Sequence, residues 1–384
     1  MTAARRVLTI GHSYCVRRNR ELAEAMNTGG GGAWSITVAA PERFPGDLGP
    51  IETRREEFEG AELRTLPVHG ARRIHVMRYG RGLQALLDEP WDLVHCWEEP
   101  YVLAGAQVAR AHRPGTALVY ASFQNIAKRY PPPFGAFERY SLRQAAGWIA
   151  FGRTVEATLQ TRPAYAARPH AVIPFGVDVT RFAPDRAAGM ALRARLGWKP
   201  DGPPVIGYLG RFVEAKGLGV LLEALHALRA RGGDWRALFV GGGPWDARLR
   251  AFAERHGDRV RIRTGVPHDD VPDHLRAMDM LCVPSQTTPN WREQFGRMIV
   301  EAFACGVPVV GSDSGEIPGV IGDAGLVVGE RDVPTWTRTL ADLLEDPARR
   351  GALGARGRAR AETTFAWPVV GRQHLAFFDR ILNR

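Results

Sequence analysis

Residues 203–243 read PPVIGYLGRFVEAKGLGVLLEALHALRARGGDWRALFVGGG. An apolar run ends at Leu209, Gly210 turns the chain, a helical pattern runs from residue 217 to 232, and a second apolar run leads into three glycines. The apolar residues are continuous rather than alternating, which suits strands covered on both faces by helices, as in a parallel sheet. Working outward, the same alternation recurs downstream in VRIRTG (260–265), MLCVPS (280–285), VPVVGSD (307–313) and AGLVV (324–328). Upstream it recurs in RRVLTIG (5–11), WSITVAA (34–40), WDLVHCW (91–97), TALVYAS (116–122), GWIAFG (147–152) and HAVIPFG (170–176). Strands alternating with helices define an α/β protein with doubly wound parallel sheets. Two such halves meet near residues 175–200, without sequence repeat between them.

At 384 residues the chain exceeds what one hydrophobic core sustains, so two domains are expected. The expected limits are 1–174, 175–363, and a closing helix over 364–384, where Trp367, Val370, Leu375, Phe378 and Leu382 recur at helical spacing. That helix is expected to pack back on the first domain.

Lys and Arg outnumber Asp and Glu by 51 to 41, a balance that favours phosphate-bearing ligands or anionic surfaces. Cys15, Cys96, Cys282 and Cys305 have no CxxC spacing and sit among apolar residues, which predicts reduced, buried thiols. The first residues enter a strand without a signal-peptide core, and no run is long and apolar enough to span a bilayer. The expected location is cytoplasmic, with any membrane contact made peripherally from that face.

Strand ends carry the candidate chemistry. Arg211 and Lys216 flank the turn after the 203–210 strand, just before a helix N-terminus, and together they suit a diphosphate clamp. No GKS or GKT follows the glycines 241–243, and no GxGxxG follows the first strand, which excludes a P-loop and disfavours a nicotinamide dehydrogenase. In NWREQFGRMIVEAFACGVPVV (290–310), Glu293 and Glu301 would lie roughly 12 Å apart along the axis if the intervening residues were wholly helical. That spacing argues against a proton-sharing pair and for two separate acceptors of hydroxyl hydrogen bonds, with Gly296 leaving room beside the helix start. Ordinary helix decoration is the competing reading.

Three stretches settle the choice: VIPFGVDVTRF (172–182), GYLGRFVEAKGL (207–218), and PSQTTPNWREQFGRMIVEAFACGVPVVGSDSGEIPGVIGDAGLVV (284–328). In this order they closely resemble the retaining nucleotide-sugar glycosyltransferases of family 4. Residues 172–330 carry the likeness, and few motifs support it before residue 170. The resemblance implies the GT-B fold, two Rossmann-like domains facing a cleft. It implies transfer of a hexosyl or N-acetylhexosaminyl group from a donor such as a UDP-sugar to an acceptor hydroxyl.

Carried over position by position, Gly210, Arg211 and Lys216 meet the donor diphosphate, Glu301 the ribose, and Glu293 the transferred sugar. Backbone amides around Phe295, Gly296 and Arg297 orient sugar and phosphate, and Gly265, Val266 and Pro267 lie by the base. Arg211, Lys216 and Glu293 then form the catalytic set. The family's chemistry needs no enzymic nucleophile, cofactor or metal, and HDDVPDH (268–274) reads as a helix start rather than a metal motif.

The first domain is expected to bind a small-molecule, glycan or lipid-linked acceptor. Its candidates at strand ends are Gly11, His12, Tyr14, Glu98, Glu99, Gln124 and Asn125. Many family members carry a histidine near the place of Gln124, so a histidine-assisted step there is in doubt. His95 reads as a core histidine, Trp97 as a cap on the sheet, and Lys128 and Arg129 as a solvated loop first, with a contact to phosphate or membrane lipid as the alternative. The competing functions are a nucleotide-sugar epimerase and a non-catalytic sugar-nucleotide-binding protein. Sugar, base and acceptor are not specified.

Overall fold

The apolar runs fold as parallel strands in a computed structural model that describes residues 3–46, 49–55, 60–199 and 201–384. The chain divides into two units, Met1–Pro174 together with Trp367–Arg384, and Phe175–Ala366. The second change of unit thus falls after residue 366 rather than after 363.

In the first unit, strands β1 (Arg5–Ile10), β2 (Trp34–Pro41), β3 (Glu62–Leu66), β4 (Leu93–Cys96), β5 (Ala117–Ser122), β6 (Gly147–Ala150) and β7 (His170–Val172) form one parallel sheet. Their order is β7-β6-β5-β4-β1-β2-β3, so the winding reverses between β1 and β4, where Val7 pairs with Leu93 and Ile10 with Cys96. Among these strands only β3 was not expected. Its residues ELRTL are largely exposed at the sheet edge. Helix α1 (Arg17–Gly29) and the C-terminal helix Trp367–Leu382 pack together. A Cβ on Gly371 would stand 2.8 Å from the Ala25 carbonyl, so the small residue there sets the close approach of the two helices.

In the second unit the strands are β8 (Val205–Arg211), β9 (Arg236–Gly242), β10 (Val260–Arg263), β11 (Met280–Val283), β12 (Val309–Ser312) and β13 (Leu326–Val328). Their order is β10-β9-β8-β11-β12-β13, again parallel throughout, with the reversal between β8 and β11. Successive strand residues point to opposite faces. Val205, Leu238, Leu281 and Val309 enter one apolar cluster, while Ile206, Phe239, Cys282 and Val310 enter another. Both faces are buried, which is the physical reason the runs are continuous.

The four cysteines are free and buried, as their surroundings in the sequence require. The stretch 268–274 begins the helix Val271–Arg276, preceded by a single turn over His268–Asp270. Among the described residues no helix is long and apolar enough to cross a membrane.

Candidate functional site

Open parallel sheets bind ligands outside the carboxyl ends of their strands, at the point where the strand order reverses. In the second unit that point lies between the turn after β8 and the loop after β11.

Tyr208 fixes the β8 turn by donating its hydroxyl hydrogen to the Arg211 carbonyl at 2.7 Å. Lys216 closes a short turn, Glu214–Lys216, and Gly217 follows with φ +69°. A Cβ on Gly217 would fall 1.6 Å from the Pro284 carbonyl oxygen, so only glycine admits this approach of the two loops. Beyond it starts α2 (Leu218–Ala230). The Gln286 N–H donates to the Ala215 carbonyl at 2.8 Å, tying the loop after β11 to the same turn.

This juxtaposition brings Lys216 to Glu293. Their Nζ and Oε2 lie 2.5 Å apart, with side chains 11% and 8% exposed. The Ser285 hydroxyl donates to the same Oε2 at 2.9 Å, and the Lys216 ammonium lies 4.8 Å from the centre of the Trp291 ring. The Glu293 carbonyl accepts from the Glu316 N–H at 3.1 Å. Gly315 makes this possible, since a Cβ there would stand 2.0 Å from that carbonyl oxygen. Glu293 is therefore anchored through both backbone and side chain. An ammonium has three donors, so Lys216 keeps two beyond the one spent on Glu293. Arg211, at the end of β8, is exposed, and its guanidinium makes no hydrogen bond or ion pair with another described residue.

Glu293 and Glu301 are not joined by a continuous helix. Helix α3 spans Arg297–Ala304 with Gly296 at its N-terminal cap, and Glu293 lies in the loop before it. The axial spacing of an unbroken helix therefore does not apply. Glu301 is half-buried on α3, and the first turn of α3 presents backbone N–H groups that have no partner within the helix. The Phe295 side chain is core, 5.4 Å from the Phe175 ring and 6.0 Å from Phe365, which leaves only its backbone to a ligand. The Arg297 guanidinium lies 4.4 Å from the Phe175 ring centre. Gly265, Val266 and Pro267 follow the outermost strand β10 at the same edge of the sheet, and Val266 packs on the core.

The sequence reading missed Ser285, Trp291, Tyr208 and Glu316. A polar residue directly after a buried strand was the available signal for Ser285. The others act through contacts that local patterning does not encode.

At the reversal point of the first unit, Glu98 is buried and accepts three hydrogen bonds. They come from the His12 N–H at 2.7 Å, the His12 ring Nδ1 at 2.8 Å, and the Tyr79 hydroxyl at 2.7 Å. Burial opposes the charged imidazole, but attraction and hydrogen bonding from Glu98 outweigh it and hold the His12 pKa above its ordinary 6.5. For Glu98 burial is again the largest influence and raises the pKa, while His12 and Tyr79 together bring it below the ordinary value.

Glu99 turns the other way and accepts from the Ser122 hydroxyl and the Phe123 N–H, each at 2.7 Å. Burial pushes its pKa up to about 7 against these bonds. Gln124 donates to the Tyr101 hydroxyl at 3.2 Å.

Of the expected acceptor contacts, His12, Glu99 and Gln124 keep exposed surface, whereas Gly11, Glu98 and Asn125 are buried. Tyr14 is a correction: it is fully buried with its hydroxyl 2.6 Å from Thr9 Oγ1, and offers no area to a ligand. His95 is fully buried beside His374, and burial and then His374 hold its pKa well below the ordinary 6.5.

Two doubly wound parallel sheets, each with polar side chains gathered at its reversal point, define the class: a GT-B protein. The synthase "Sucrose-phosphate synthase" from Thermosynechococcus elongatus has the same fold over 99% of both chains, with a TM-score of 0.73 and 22% identity. A model of the family "Glycosyl transferases group 1" matches residues 194–360. A 2-deoxystreptamine glucosyltransferase from Streptomyces kanamyceticus is 30% identical over 270 residues, 69% of this chain and 68% of that protein. The chain belongs to the group 1 glycosyltransferases. It is also 36% identical over 205 residues to a GDP-mannose-dependent monoacylated alpha-(1-6)-phosphatidylinositol monomannoside mannosyltransferase from Corynebacterium glutamicum. That match spans 52% of this chain and about half, 54%, of the relative.

Proposed function

We propose that the protein transfers a hexosyl or N-acetylhexosaminyl group from a nucleoside-diphosphate sugar to an acceptor hydroxyl, with retention of configuration and without a metal. One observation carries the reading: the Lys216–Glu293–Ser285 cluster at the reversal point of the second sheet, with the unpaired Arg211 guanidinium at the end of β8.

In this reading the bond between the anomeric carbon and the leaving phosphate oxygen breaks, and its electron pair moves to the nucleoside diphosphate. Arg211, the remaining donors of Lys216 and the first-turn amides of α3 stabilise that growing charge more than they stabilise the bound donor. The acceptor oxygen attacks the same face of the sugar, and its proton passes to the leaving phosphate. Glu293, held by Lys216 and Ser285, aligns sugar hydroxyls, and Glu301 meets the ribose. The acceptor is assigned to the first unit, at His12, Glu99 and Gln124.

Nucleotide sugars that bind only the native state raise its melting temperature. Because the Corynebacterium relative is named for GDP-mannose, that donor is tested first, beside UDP-, ADP- and dTDP-sugars. The expected result is stabilisation by one donor family and slow release of its sugar, with the product identified by mass spectrometry. An epimerised nucleotide sugar as the product would replace transfer by isomerisation, and no stabilisation by any donor would contradict the proposal.

A further inference from the structure

The first unit carries an open groove of about 840 Å³ between residues 72–76 and the proline-rich segment 128–134. Arg72 and Arg73 stand on one wall, Lys128 and Arg129 on the other, all exposed. Among the described residues none of these four side chains is held in an ion pair or hydrogen bond. Four unpaired cations around one concavity make an anion-attracting rim.

The surface between the cations is apolar. Ile74, Val76, Pro131 and Phe134 line it, and Val76 is 44% exposed, one of few large apolar side chains so open to solvent among the described residues. The lining includes no Asp, Glu, Asn, Gln, Ser or Thr. The groove therefore lacks the carboxylates and amides that align sugar hydroxyls at two points each, and its apolar floor favours an occupant with a hydrocarbon part over a glycan. Nor do the aromatic rings offer a platform for nucleic-acid bases. Tyr101 and Tyr130 stack on each other at 4.0 Å and 9°, His75 sits 5.8 Å from Tyr101, and the Arg162 guanidinium lies 4.8 Å from the centre of Tyr130. The stack spends its faces within the protein.

The remaining ligand is one with an apolar chain and an anionic head. We infer that the groove seats an anionic phospholipid at a bilayer face, its chain against Val76 and Phe134 and its phosphate among Arg72, Arg73, Lys128 and Arg129. Arginine meets phosphate bidentately and lysine acts as a compact charge, so the rim suits a phosphodiester. The inference stands apart from sugar transfer, and its test uses no donor or acceptor.

The full chain is sedimented with phosphatidylcholine vesicles that contain or lack phosphatidylglycerol. Partition into the anionic vesicles alone, weakened by salt, is expected. Arg73→Ala combined with Lys128→Ala should lower that partition by about tenfold or more. Val76→Ser, at a position 44% exposed, should lower it severalfold without changing charge, and a melting temperature unchanged from the native protein checks that the variant is folded. Three results would overturn the inference. One is equal or absent binding to both vesicle types. Another is full binding by Val76→Ser, which means diffuse electrostatics rather than a seated chain. The third is release by inorganic phosphate beyond that caused by chloride at equal ionic strength, which means a small-anion site.

Discussion

Replacing Lys216 by methionine separates the structural from the ligand-binding work of its ion pair. In the native protein Nζ sits 2.5 Å from Glu293 Oε2, both side chains are about nine-tenths covered, and Ser285 supplies one further hydrogen bond. Removing one partner of a fully buried pair costs about 3–5 kcal/mol, and a charge-assisted hydrogen bond contributes about 1.5–3 kcal/mol. Because both side chains keep some contact with water, the lower range applies, and Lys216→Met should destabilise the fold by about 2–3 kcal/mol. Adding Glu293→Gln removes the orphaned charge while the amide oxygen still accepts from Ser285. The double variant should therefore recover to within about 1 kcal/mol of the native stability.

Donor affinity should not recover, since phosphate has lost its ammonium and the sugar its carboxylate. Urea titration measures the first quantity and calorimetric titration with the nucleotide sugar the second. A double variant that regains both stability and affinity would reduce the pair to a structural brace and refute the clamp. A single variant as stable as the native protein would show that the pair is not formed.

Other positions give independent checks. Arg211→Ala removes an exposed, unpaired cation, so stability should stay within about 0.5 kcal/mol while kcat/KM falls by about 100-fold; steady-state kinetics and a melt decide. Glu99 has its pKa raised to about 7, so the native state gains from the neutral form at low pH and loses that gain as pH rises through about 7. Glu99→Gln should accordingly be more stable than the native protein above pH 7, by about 1–2 kcal/mol after allowing for its partial exposure, and equal to it in acid; melting curves across pH read this out. His12 has its pKa raised above 6.5 by Glu98. Its contribution is full below 6.5 and lost as pH rises through the raised value, so His12→Gln should cost most stability in mild acid and least in alkali. A pH-independent deficit would contradict the pairing.

Much of this was legible in the sequence because burial on both sheet faces leaves continuous apolar runs. All six strands of the second unit appear that way, from Val205–Arg211 to Leu326–Val328. The edge strand Glu62–Leu66 did not, since three of its five residues are exposed and its pairing with Trp34–Pro41 spans a long separation. The condition of an unbroken helix over 293–301 is not met for a local reason: Gly296 sits at the cap with φ +84° and the helix starts only at Arg297. The Lys216–Glu293 bond joins residues 77 apart in the chain, and no pattern of spacing announces it. Likewise, adjacent glutamates 98 and 99 look alike in sequence, yet their side chains find different partners, which makes one a buried brace for His12 and the other a partly buried acid held by Ser122 and Phe123.

A structure of the protein with an intact nucleotide sugar tests the central claim most directly. The diphosphate should lie within hydrogen-bond reach of Arg211, Lys216 and the first turn of α3, the ribose at Glu301, and the sugar hydroxyls on Glu293. A donor bound with its diphosphate away from Arg211 and Lys216, while the Lys216–Glu293 pair stays closed and untouched, would contradict it.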